Sequence, residues 1–143
     1  MKTLCKKRGI IRNRRAEMFI DVAVMILCSM MIIVLALNTF SFFAIKQDLD
    51  HYAKEMIRTA TVEGRTTGTP ITNRQTQLRN ETGLNPTVVW TATYFNNTQR
   101  TVQLGDTITV TLTYQTRFQG FGIFSVPVTL TARHSGLSQR YYK

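Results

Sequence analysis

The chain has 143 residues, with 18 Lys and Arg against 8 Asp and Glu, a formal charge of +10 and a hydrophobic fraction of 43%. That hydrophobic content excludes a disordered basic tail, because disorder requires low hydrophobicity together with high net charge. The totals would suit a basic nucleic-acid binder, but the charge is concentrated at one end. Lys2, Lys6, Lys7, Arg8, Arg12, Arg14 and Arg15 precede the first acid, Glu17, so residues 18–143 keep only 11 basic and 7 acidic groups. Residues 1–17 therefore form a basic leader. It has no aromatic residue to stack on bases, and no nucleic-acid partner is expected.

Residues 18–45 read MFIDVAVMILCSMMIIVLALNTFSFFAI, 28 positions with one side chain charged at neutral pH, Asp21, and no Pro or Gly. About 20 apolar residues cross a bilayer core as a helix, so this run predicts a transmembrane helix with some tilt. It exceeds the ~7 to 15 apolar residues of a cleaved secretory signal, and Phe42-Phe43-Ala44 lacks the small-x-small cleavage pattern. A retained, single-pass anchor in the cell membrane is the expected outcome. The basic leader sets its N-terminus in the cytoplasm and places residues 46–143 outside. A buried core helix is disfavoured, since roughly 100 remaining residues could hardly wrap a helix that is apolar on every face. Cys5 lies in the leader and Cys28 in the span, so the exterior part has no cysteine for a disulfide or a zinc site.

Beyond the membrane, Ile45, Leu49, Tyr52, Ala53, Met56, Ile57 and Ala60 recur every three to four positions, the stripe of an amphipathic stalk helix over 46–63. Gly64 suits its C-terminal cap. An unbroken helix over 18–63 would be roughly 70 Å long at 1.5 Å per residue; a break near 38–41 is the alternative. Residues 64–86 read as a linker followed by a short polar helix or loop at 71–83.

After Gly83 the period changes to two. Val88, Trp90, Ala92 and Tyr94, then Ile108, Val110, Leu112 and Tyr114, then Phe124, Val126, Val128, Leu130 and Ala132 alternate with polar residues rich in Thr. With a shorter strand at 101–104, they predict an extracellular antiparallel β-meander head over 87–143. Pro127 marks the last strand as an edge. A one-faced helix and a one-faced sheet need each other, so the expected class is α+β. The stalk would cross the sheet through Leu49, Tyr52, Met56 and Ile57.

No catalytic constellation is visible. His51 and His134 are far apart in sequence, and Asp48, Asp50, Glu55, Glu63, Glu81 and Asp106 form no spaced cluster. A non-enzymatic protein without cofactor or metal is expected. The one costly residue is Asp21, since a carboxylate near the bilayer centre costs about 2.5 to 3.5 kcal/mol. Two readings stand side by side: Asp21 snorkels to the cytoplasmic interface, aided by Arg14, Arg15 and the helix N-terminus, or it meets a positive partner inside the membrane.

The order of a basic leader, a small residue, an acid five residues later in an apolar helix, an amphipathic stalk and a β head resembles the type IV pilin and pseudopilin plan. It is similar above all to the TadE-like minor pilins, including small membrane proteins of Gram-positive bacteria. In Arg14-Arg15-Ala16-Glu17-Met18-Phe19-Ile20-Asp21, cutting after Ala16 makes Glu17 the first residue and Asp21 the fifth. The resemblance implies a prepilin-type peptidase acting between Ala16 and Glu17. It also implies a pairing of Asp21 with the free amine of a neighbouring subunit. Leu104-Gly105-Asp106-Thr107-Ile108-Thr109-Val110-Thr111 looks like the G-D-x-[VI]-x-V segment common in TadE-like heads. The family usually has Gly where Ala16 stands, Glu where Asp21 stands and a hydrophobic residue in place of Glu17. The implied function is a structural subunit of a pilus, secretion or DNA-transfer apparatus, with the membrane, other pilin-like subunits and assembly-platform proteins as partners. The competing reading is a stand-alone, membrane-anchored extracellular binding module.

Overall fold

The computed structural model describes the backbone of residues 7–120 and 124–143 and the side chains of residues 18–118 and 125–143. The side chains of the basic leader, residues 1–17, lie outside the described residues. Five elements follow one another: α1 (Lys7–Glu63), α2 (Thr69–Thr82), β1 (Thr87–Ala92), β2 (Thr107–Gly120) and β3 (Phe124–Leu137). The strands form one antiparallel sheet in the order β1-β2-β3. The fold is α+β, a long N-terminal apolar helix with a small antiparallel meander. Residues 10–63 contain neither Pro nor Gly, and the helix is unbroken through 38–41. It stops at Gly64, whose φ of 63° is a left-handed conformation that costs a Cβ-bearing residue.

The chain forms two compact units, Met1–Phe40 and Ser41–Lys143. The described part of the first is helix alone, and its apolar side chains are exposed almost throughout; Phe19 is 80% accessible. Among the described residues, one helix, from Met18, is long and apolar enough to cross a membrane.

The second unit has a core. Leu49, Tyr52, Ala53, Met56, Ile57 and Ala60 from α1 form one buried cluster with Ile108, Val110 and Leu112 of β2 and Ala132 of β3. Each fully buried side chain of this size contributes about 1.5 to 3 kcal/mol. The helix rides over β3: Lys46 Nζ donates to the Thr131 carbonyl at 2.6 Å, and further along α1 meets Gly136. A Cβ at Gly136 would lie 2.8 Å from Thr61 Cγ2 and 3.4 Å from Ile57 Cγ1, so the bare backbone there is what admits the helix.

Three expectations are refined by these contacts. Residues 101–104 are not a strand. Thr101 makes only isolated bridges to Arg65 and Asn96, and the Val102 N–H donates to the Gly64 carbonyl at 2.7 Å. The segment is held by the loop after α1 instead of by the sheet, with Val102 buried and Leu104 exposed. Residues 69–82 are a helix and not a loop: Pro70 opens it, Ile71 and Leu78 fix it to the core, and Gly83 closes it in a left-handed cap. Finally, β3 continues past Ala132 to Leu137, because β2 offers ladder partners down to Thr107.

The sheet is uneven. β1 pairs only with residues 108–113 of β2, whereas β2 and β3 stay paired through Gly120 and Phe124. Among the described residues, no third strand lies beside the distal half of the β2–β3 hairpin. Pro127 lies in this half, on the edge strand β3 opposite Arg117.

Candidate functional site

The residues singled out by the sequence fall into three places. Ala16 and Glu17 lie within α1 but outside the residues whose side chains are described. Asp21 is exposed on the apolar stretch of the same helix. Leu49, Tyr52, Met56 and Ile57 are buried together in the core of the second unit.

Around Asp21 the helical register decides which residues share its face. At about 100° per residue, Cys28 and Thr39 fall within about 20° of Asp21, Met25 and Ile32 within about 40°, and Ala36 within about 60°. Phe19, Met30 and Leu37 project from the opposite side, about 160° to 180° away. The stripe around Asp21 thus holds Cys28, Ala36 and Thr39 together with the larger Met25, Ile32 and Leu35, and Ala23 and Ser41 lie on the far side with Phe19, Met30 and Leu37. Thr39 satisfies its hydroxyl locally, donating to the Leu35 carbonyl at 2.8 Å, as a membrane helix requires of a polar side chain. Cys28, Ala36 and Thr39 are the small or polar members of that stripe, and such residues are the ones at which helices approach closely in lipid. The relation of Cys28, Ala36 and Thr39 to Asp21 is present in their spacing, but they stand inside a run whose apolarity dominates any reading by eye.

In the second unit, polar groups join α1 to its surroundings. Tyr52 donates to the Gln75 carbonyl of α2 at 3.0 Å. Burial pushes its phenol pKa above the ordinary 10.0, with Arg79 acting in the other direction. Arg74 Nη2 lies 2.6 Å from Glu55 Oε2, and that hydrogen bond holds the Glu55 carboxyl below its ordinary value of 4.5. An open cleft beside this pair is lined by Glu55, Arg58, Thr59, Val62, Glu63 and Arg74. Both acids in it are already engaged, Glu55 by Arg74 and Glu63 by Arg140 at 3.4 Å. His51 is exposed, and His134 sits opposite Val110 across β2 and β3. Among the described residues, no three His, Cys, Asp or Glu side chains converge as metal ligands would.

The C-terminal residues clasp the end of α1. The Gln139 N–H donates to the Thr61 carbonyl at 2.9 Å, and the Tyr142 hydroxyl donates to the Glu63 carbonyl at 2.8 Å. Tyr142 is fixed in turn by Gln103, which accepts from its N–H at 2.8 Å and donates to its carbonyl at 2.9 Å. Carbonyls of a last helical turn lack partners within the helix, so the tail supplies two of them.

A family model described as Domain of unknown function (DUF4320) matches residues 26–143. No curated protein and no solved structure matches the chain.

Proposed function

We propose, from the premise that this chain belongs to the DUF4320 family, that it is a pilin-like, TadE-like structural subunit without enzymatic activity. In this reading it sits in the cell membrane by a single pass, with the basic leader in the cytoplasm and the second unit outside. It assembles through its N-terminal helix into a pilus, secretion or DNA-transfer apparatus, among other pilin-like subunits and platform proteins. The observation that carries the reading is Asp21: the only Asp, Glu, Lys, Arg or His between residues 18 and 45, exposed, and on the same helical face as Cys28, Ala36 and Thr39. A carboxylate in an apolar span is costly unless a positive group meets it. A neighbouring subunit's terminal amine, freed by a prepilin-type peptidase cutting between Ala16 and Glu17, is such a group.

The Asp21→Ala variant tests this in the native host. An assembly subunit loses its co-purifying membrane partners at least tenfold while its own membrane level is unchanged. A stand-alone anchored module keeps the same company with or without Asp21, and that result would sink the assembly reading.

A further inference from the structure

The distal half of the β2–β3 hairpin lies beside the outer end of the apolar run. Lys46, the first charged residue after that run, holds the Thr131 carbonyl of β3. Four residues earlier, inside the run, the Phe42 ring packs on Phe118 of β2, with centroids 5.4 Å apart and planes tilted by 42°. From Thr131 to Val126, the ladder partner of Phe118, β3 therefore runs beside α1 from Lys46 to Phe42. A ring that rests on Phe42 stands at the depth of Phe42.

The hairpin's two faces agree with that position. On the face that carries Leu112 and Ala132 into the core, the row continues through Leu130 and Val128 to Val126 and its partner Phe118. Beyond the cover of α1 this row is no longer buried, and Val126 is 52% exposed. The other face carries Gln115, Arg117, Ser125 and Thr129. An amphipathic element with aromatic and aliphatic groups on one side and Arg on the other is suited to the boundary between headgroups and acyl chains. An exposed apolar row next to a membrane span is covered at least cost by the lipid already there.

We infer that the distal β2–β3 hairpin is a second membrane-contacting element, which seats Phe118 and Val126 in the outer interfacial layer of the bilayer beside Phe42. The occupant of this face is lipid, and the inference rests on the reading of residues 18–45 as a transmembrane helix. Its consequence is that the second unit is held to the membrane surface at two places, the helix and the hairpin.

Depth measurement on the full chain tests it. Cys5→Ser and Cys28→Ser give a background in which a nitroxide is attached through Val126→Cys, through Leu27→Cys in the span, or through Val89→Cys on the polar face of β1. Each chain is reconstituted in vesicles of phosphatidylcholine and phosphatidylglycerol, and collision with oxygen is compared with collision with a water-soluble nickel chelate. Expected is a Val126 label that favours oxygen, as the Leu27 label does, while the Val89 label favours nickel. If Leu27 favours oxygen but Val126 behaves like Val89, the hairpin is in water and the inference is overturned while the span stands. If Leu27 also favours nickel, the span itself fails and the inference with it. A Val126 label shielded from both reagents puts another protein chain on this face and overturns the lipid assignment.

Discussion

The hydroxyl of Tyr142, the penultimate residue, donates at 2.8 Å to the main-chain carbonyl of Glu63, the last residue of a 57-residue helix. The tail and the helix end hold each other. A single hydrogen bond of this kind contributes about 0.5 to 1.5 kcal/mol. Tyr142→Phe should therefore lower stability by about 1 kcal/mol, and Tyr142→Ala by more, since it also strips the ring packed against Gly64. Urea unfolding in detergent micelles, followed by the emission of Trp90, the one Trp in the chain, reads this directly. An unchanged midpoint for Tyr142→Ala would show that the clasp carries no stability.

Gly136→Ala should strain the crossing of α1 over β3, because its Cβ would stand 2.8 Å from Thr61 Cγ2. Overpacking of this kind costs about 1 to 3 kcal/mol. Adding Thr61→Ser removes that methyl and keeps the hydroxyl that donates to the Arg58 carbonyl. The double variant should recover part of the loss, so the two effects are not additive. Equal losses in the single and the double variant would assign the cost elsewhere.

The Glu55–Arg74 pair predicts a specific acid sensitivity. Because the folded carboxyl lies below its ordinary 4.5, the pair's contribution is complete above that value and disappears as pH falls through the lower, folded value. Both side chains are partly exposed, which limits the gain to about 1 kcal/mol or less. Arg74→Met should therefore destabilise the chain at neutral pH and narrow the gap between urea midpoints at neutral and strongly acidic pH. A gap as wide as that of the unaltered chain would mean that the pair does not couple to folding.

If residues 1–16 are removed, the remaining chain begins at Glu17 and keeps 11 basic and 8 acidic side chains, a net +3 instead of +10. Intact-mass analysis of protein from the native host should show this loss. A full-length mass alone would mean that the positive charge stays on the protein and only sets its orientation.

Much of this architecture is legible in the residues. The spacing of Leu49, Tyr52, Met56 and Ile57 gives the buried face of α1, since a helix that buries one side must repeat every three to four positions. Val110 and Leu112 reveal β2 by alternation. What escapes such reading lacks a period. α2 buries only Ile71 and Leu78, two apolar residues in a polar stretch, so its helicity rests on Pro70, the Gly83 cap and tertiary contact. Val102 and Leu104 alternate like a strand, yet the backbone of Val102 is bound by Gly64, 38 positions earlier in the chain. The role of Tyr142 depends on Glu63, a partner too distant for any local pattern to indicate. Around Asp21 the placement of Cys28, Ala36 and Thr39 on its face is a matter of helical register within a largely apolar run, which a hydropathy reading averages away.

In the proposed reading, the face of α1 bearing Asp21 is an assembly surface inside the membrane. A photo-crosslinking residue placed at Met25, on that face, or at Met30, on the opposite one, tests it in membranes of the native host. Expected are protein adducts from Met25, few or none from Met30, and loss of the Met25 adducts when Asp21→Ala is added. Equal yields from both positions, unaffected by Asp21→Ala, would contradict it.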